Sequence, residues 1–206
     1  MSAVHVVAIA GLSCSGKSTT ARLLAAELDA PLLCLDDYYL PLTNLSMDER
    51  HACNFDAPEM FDMPLLRDHL WELINDRAID KPKYDFIEFT RAPETEKVQP
   101  SEFVVLEGQY AMFWPEINQL TRTRAFIDIS PLECLRRRIL RDGQQRGRDE
   151  EEVRWRFHHH VLPMFDKFMH PSRENATLLL DGPPNSARNA ELVLDAVLAR
   201  AGISLH

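Results

Sequence analysis

A three-layer α/β fold, with a central parallel sheet and helices on both faces, is the architecture this sequence predicts. Short β-branched apolar runs alternate with segments of helical periodicity, the pattern of strand–helix–strand units. Several of those runs, such as Phe103-Val104-Val105-Leu106, are apolar at every position, as strands buried on both faces are. The polar, turn-forming residues cluster between the runs rather than within them.

In chain order, Val4 to Ala10 reads as a buried first strand ending at Gly11. From Lys17 to Asp29, Ala21, Leu24, Ala25 and Leu28 recur at helical spacing. Leu32 to Leu35 is a second strand, followed by Asp36-Asp37-Tyr38-Tyr39, and Pro64 to Asn75 an amphipathic helix. Phe103 to Leu106 and Ala125 to Ile129 are further strands. Ser130, Pro131 and Glu133 then mark a helix start through a capping hydroxyl, a proline at the first helical position and an acid at the third. That helix is expected to reach about Asp142, with a polar break from Gly143 to Arg148 and a second helical segment from near Asp149. Thr177 to Leu180 is a late strand, and Ala187 to Ala201 a closing helix. His158-His159-His160 is expected to occupy ordinary helix positions.

The 206 residues fit one domain, spanning 1–206, and ordinary globular composition (45% hydrophobic, 27% charged) excludes disordered and coiled-coil classes. The excess of 32 acidic over 23 basic residues gives a net charge of −9, which argues against nucleic-acid or anionic-membrane partners. No apolar run approaches a ~20-residue membrane span, and the N-terminus lacks a signal-peptide pattern. Cys14, Cys34, Cys53 and Cys134 form no C-x-x-C pair and read as free thiols, so a cytoplasmic location is expected.

One motif dominates. Gly11-Leu12-Ser13-Cys14-Ser15-Gly16-Lys17-Ser18 fits G-x-x-x-x-G-K-[ST] in full, between a strand and a helix. Its spacing aims backbone N–H groups of Gly11, Ser13, Cys14, Ser15, Gly16, Lys17, Ser18 and Thr19 at phosphate oxygens. Lys17 reaches the outer phosphates, and the Ser18 hydroxyl ligates Mg²⁺. The fold class becomes that of a phosphate-loop nucleotide-binding protein. There is no D-x-x-G with N-K-x-D, as a guanine switch needs, and no L-S-G-G-Q of a transporter ATPase. Asp36 and Glu107 each close an apolar run, and strand carboxyl ends are where such sheets bind ligands. One carboxylate can hold the metal while the other takes a proton from an attacking hydroxyl. Arg138 and Arg141 lie one turn apart, and Arg146 and Arg148 flank Gly147, as a small arginine-rich lid over transferring phosphate would require.

These residues extend into a wider pattern. Asp36-Asp37-Tyr38-Tyr39 resembles the D-S-F-Y segment of uridine–cytidine kinases in the phosphoribulokinase/uridine kinase family. Asn54-Phe55-Asp56 with Pro58 and Phe61-Asp62 resembles N-F-D-H-P-x-A-F-D, and Tyr84-Asp85-Phe86 with Thr90-Arg91 resembles Y-D-F-x-x-H-T-R. Leu106-Glu107-Gly108 is similar to the family's strand end, and Arg137 to Asp142 with Arg146 to Asp149 is similar to R-R-I-x-R-D…E-R-G-R-D. The resemblance covers Val6 to Gly182.

It implies ATP-dependent phosphorylation of a ribonucleoside 5′-hydroxyl, uridine or cytidine first; no motif for reading the donor's base separates ATP from GTP. Asp36, Lys17, Arg141 and Arg146 take catalytic roles by this resemblance, and Ser18, Asp36 and Glu107 hold Mg²⁺. Arg138 and Arg148 join the donor site. Tyr39, Phe55, Asp56, Tyr84, Phe89, Arg141, Arg148 and Arg156 bind the acceptor, in an insert around 38–97 and a lid around 137–160. Subunit association is also implied. Two positions depart from the family: Phe89 replaces a base-reading histidine, and Arg156 a pocket glutamine. Another hydroxyl acceptor, such as nicotinamide riboside, and a non-catalytic ATP-binding regulator remain the alternative readings.

Overall fold

The computed structural model describes residues 4–181 and 185–203; the side chains of Gln145 and Arg146 lie outside that description. Five strands, β1 (His5–Gly11), β2 (Leu32–Cys34), β5 (Phe103–Glu107), β6 (Thr123–Asp128) and β7 (Leu178–Asp181), form one parallel sheet in the order β2-β5-β1-β6-β7. β1 is central and buried at every position, as is β5. Because side chains alternate between faces, burial at every position means that both faces of the sheet are covered. The core runs from Val6 to Ala10 through Val104 to Leu106 to Phe126 and Ile127, and outward to Leu24, Leu66 and Val193 on the surrounding helices.

Helix α1 (Lys17–Glu27) follows β1 directly, and α3 (Met63–Ile74) starts at Asp62, whose carboxylate accepts from the Leu65 amide. The short helices α2 (Met47–Ala52) and α4 (Pro115–Leu120) went unread in the sequence. So did the antiparallel hairpin β3 (Ile79–Asp85) and β4 (Thr90–Val98), whose outer positions are too exposed and charged to give an apolar signal.

Helix α5 (Pro131–Arg146) begins as expected, with the Ser130 side chain accepting from the Glu133 amide. The expected break at Gly143 is corrected: the helix continues through it to Arg146 and stops at Gly147, in the left-handed conformation at φ 63°. A lone glycine inside a helix costs only about 1 kcal/mol and is tolerated; the residue before it, Asp142, is fully buried. Helix α6 (Glu150–Arg156), capped by Asp149, runs on through two π-helical turns, Phe157–Val161 and Phe165–Met169. The closing helix Ser186–Ala201 packs against α1. All four cysteines are free, and among the described residues no helix is long and apolar enough to cross a membrane.

Candidate active site

Strand β1 ends in the glycine-rich loop, where Gly16 sits at φ 99°, a conformation a side chain would strain. No side chain caps α1, which leaves its first-turn N–H groups for an anionic ligand. Ser13, Lys17 and Ser18 line a cleft at this point. The Ser15 hydroxyl is buried without a hydrogen-bond partner among the described residues. Gly11, Cys14 and Gly16 shape the loop without bordering the cleft, and Thr19 is exposed, its hydroxyl accepting from Arg22.

The ends of β2 and β5 deliver the acids. Asp36 lies in a single 3-10 turn, Leu35–Tyr38, directly after β2. The adjacent acid is taken elsewhere, since Lys81 Nζ lies 2.5 Å from Asp37 Oδ2. Gly108 allows the approach of β5 to this turn: a Cβ there would stand 2.3 Å from Leu35 Cβ. Asp36 lines the cleft, and burial pushes its carboxyl up to about 6; Lys17 opposes that shift, while Glu107, Asp56 and Asp37 add to it. Glu107 is 4% exposed; Cys34 Sγ donates to its Oε1 at 3.1 Å, and its Oε2 has no hydrogen-bond partner among the described residues.

Those oxygens are the test for Mg²⁺. A buried carboxylate oxygen without a donor, a second carboxylate held among other acids and the Ser18 hydroxyl are hard oxygen donors that a cation would complete. The described residues contain no closed cluster of three or more His, Cys, Asp or Glu side chains able to hold a metal alone. An open site fits Mg²⁺, which keeps several waters and takes phosphate oxygens as ligands.

On the facing side, Asp142 gathers the arginines. It is fully buried, accepts from Arg141 Nε at 2.8 Å, and stands 3.5 Å from Arg138 Nε and 3.7 Å from Arg148 Nη1. The Arg148 amide also donates to the Asp142 carbonyl, which folds the segment after α5 back onto it. All three guanidinium groups line the cleft. Asp142 and Arg137, whose Nη1 donates to the Cys14 carbonyl at 3.4 Å, bound the arginine motif in the sequence, which assigns neither a role. The predicted Arg146 side chain lies outside the described residues.

The other end of the cleft is aromatic. Tyr39 stacks on Phe61 at 4.4 Å between ring centroids, meets Tyr84 at 5.0 Å and Phe55 at 5.4 Å, and donates its hydroxyl to the Phe55 carbonyl. Phe89 lies 5.7 Å from Phe55, with the His51 ring edge-on to it. Asp56 is held by its own amide, which donates to Asn54 Oδ1, and by Tyr110, which donates to its carbonyl at 2.6 Å. Each predicted acceptor residue, Tyr39, Phe55, Asp56, Tyr84, Phe89, Arg141, Arg148 and Arg156, borders this cleft. Cys53, Phe86, Gln109 and His160 border it as well and were not foreseen. The signal for His160 is the π-helical turn, which shifts side-chain direction along the helix; sequence periodicity does not announce such a turn.

Comparison with known proteins places the chain in a family. Residues 6–187 match the family model described as phosphoribulokinase/uridine kinase. A protein named uridine kinase from Mycoplasma genitalium is 38% identical over 179 residues, which cover 85% of this chain and 84% of that protein. Another of that name from Vibrio atlanticus is 34% identical over 202 residues, with coverage of 94% and 92%. In structure, the chain is similar to phosphoribulokinase from Rhodobacter spheroides, with a TM-score of 0.60 at 14% identity over 85% of this chain and 69% of that one. With its phosphate loop, strand-end acids and parallel sheet in that arrangement, the chain belongs to the phosphoribulokinase/uridine kinase family.

Proposed function

We propose that this protein is a nucleoside kinase that transfers the γ-phosphoryl group of ATP to the 5′-hydroxyl of a pyrimidine ribonucleoside. The observation that carries this reading is one continuous cleft joining the phosphate loop to the aromatic pocket. Asp36 is within electrostatic reach of both ends, feeling Lys17 on one side and Asp56 on the other. A non-catalytic ATP sensor has no use for an acid placed between donor and acceptor.

The residues divide the work. The loop amides and Lys17 bind the donor's phosphates, and Asp56 suits the paired hydroxyls of a ribose. Tyr39, Phe55 and Tyr84 wall the nucleoside and exclude water. Asp36 accepts the proton of the 5′-hydroxyl as that oxygen bonds to the γ-phosphorus, and the bond to the bridging oxygen of ADP breaks. Arg138, Arg141 and Arg148 face the charge that spreads over the equatorial oxygens in the transition state. Ser18, Asp36 and Glu107 would hold Mg²⁺, which when bound neutralises phosphate charge. The segment 137–160, carrying these arginines, acts as the lid and 38–97 as the acceptor insert of a single domain.

Product formation from uridine and from cytidine with ATP and Mg²⁺ tests the reading. Asp36→Asn is expected to lower kcat by about 10²- to 10⁴-fold, the range for loss of a general base, while ATP still binds. A wild-type rate in Asp36→Asn sinks the base assignment. Failure of wild type to phosphorylate either nucleoside, with ATP bound, sinks the acceptor assignment.

A further inference from the structure

The acceptor end of the cleft offers a base much stacking surface. Phe55 and Phe89 present rings, and every base has a π face, so these give affinity without choice. Tyr84 adds a buried hydroxyl and Gln109 a buried amide N–H group, neither with a partner among the described residues; the hydroxyl donates or accepts and so suits either pyrimidine. Phe89 carries neither a donor nor an acceptor. Arg156 and Arg148 are the cations at this end: both border the main cleft and also an adjoining concavity with His51, Phe86, Phe89 and Glu152, in which Lys17 and Asp36 have no part. Arg148 is drawn toward the buried Asp142, with the arginines that face the phosphates.

The guanidinium of Arg156 is oriented from behind. Its Nε donates to Glu152 Oε1 at 2.8 Å, one helical turn earlier. Among the described residues its two Nη groups have no hydrogen-bond partner. They form the free face of a planar fork that offers donors only.

Resting on the nucleoside-kinase reading, we propose that Arg156 is a specificity-determining residue that makes this enzyme prefer cytidine to uridine. Cytosine presents O2 and N3 side by side, both acceptors, which a guanidinium fork engages with two parallel bonds, as arginine does with adjacent acceptors of guanine. Uracil has an N3–H between two carbonyls. Facing it, the fork keeps at most one bond and sets a donor against a donor, and a site left unpaired in this way discriminates strongly. Glu152 does not reverse the choice, because it borders the adjoining concavity and not the main cleft, and its Oε1 is bonded to Arg156 Nε. His160 borders the cleft near Arg156 and Asp56, and burial holds its ring below the ordinary histidine value. A neutral imidazole presents a donor or an acceptor according to tautomer, so it accommodates either base.

The test is kcat/KM for cytidine, uridine and a cytidine analogue with C–H in place of N3, in wild type and in Arg156→Gln. Wild type is expected to favour cytidine over uridine by about tenfold or more, the range for a charge-assisted hydrogen bond, and to lose a similar factor with the analogue. Glutamine offers both a donor and an acceptor, so Arg156→Gln should bring the two nucleosides within about threefold of each other. Equal wild-type values, a cytidine preference that survives Arg156→Gln, or full activity with the analogue each overturn the inference. The analogue needs no variant, so a poorly folding Arg156→Gln leaves the test intact. If neither nucleoside is phosphorylated while ATP binds, it is the acceptor assignment of the proposed function that fails, and the inference falls with it.

Discussion

Arg50, on α2, donates from Nη1 to the backbone carbonyl of Glu88 at 2.8 Å, across 38 residues of chain. The same guanidinium donates through Nε to the carbonyls of Leu42 and Leu45, so one side chain ties the loop before α2 to the β3–β4 turn. The residue it steadies is the next one along, Phe89, whose φ of 51° is unusual for a bulky side chain. A conformation of that kind costs about 1–3 kcal/mol and persists only where the surroundings impose it. Asp85 helps from within the turn, its Oδ1 accepting from the Ile87 and Glu88 amides.

Arg50→Ala should therefore act on the acceptor and not on the donor. Loss of a charge-assisted bond of about 1.5–3 kcal/mol predicts a rise of about tenfold in the nucleoside KM, with kcat and the KM for ATP within twofold of wild type. Steady-state kinetics with each substrate varied in turn check this. A matching rise in both KM values would mean a general loss of structure.

Asp142 holds Arg138, Arg141 and Arg148 around one fully buried carboxylate. Removing the charge leaves neighbouring cations uncompensated, and breaking such a buried set costs about 3–5 kcal/mol. Asp142→Asn should fall in that range, toward its lower end because Asn keeps an acceptor, and should also raise the KM for ATP. Urea unfolding measures the first effect. A change under ~0.5 kcal/mol, the size of an ordinary surface substitution, would show that the arginines do not depend on Asp142.

His5 gives the stability a pH dependence far from the active site. Its Nε2 pairs with Thr123 Oγ1 at 2.8 Å, while Nδ1 is buried with no partner among the described residues. Burial, with help from Arg122 and Arg200, lowers its pKa from 6.5 to about 4. Between those values the unfolded chain binds more protons than the folded one, so stability falls as the pH drops from about 6.5 to about 4. One such group contributes at most ~1.4 kcal/mol per pH unit. Unfolding curves at pH 7 and pH 4.5 should show a steeper loss for wild type than for His5→Gln; parallel losses would remove His5 as the cause.

Local signals explain how much of this was readable in advance. Gly11 to Ser18 declares phosphate binding because the backbone conformation and the chemistry both reside in eight consecutive residues. Asp36 and Glu107 were legible because each closes an apolar strand, and Ser130 because a cap needs only its own first turn. The β3–β4 hairpin was not, since exposed charged strands carry no hydrophobic period. Helix α2 has a local signal of its own, the reciprocal capping box of Ser46 and Glu49.

The α/β class, the phosphate loop and the acids at the strand ends are all written along the chain, because each depends on residues close together in it. Only the tertiary structure decided that Asp37 turns to Lys81 while Asp36 faces the cleft, and that Asp142 is the hub of the arginines. It also placed Arg156 and His160 beside Phe89 and Asp56. Most of those relationships join side chains tens of residues apart, and even the local one, Asp142 with its arginines, depends on the burial of the carboxylate, which packing sets and no pattern along the chain announces.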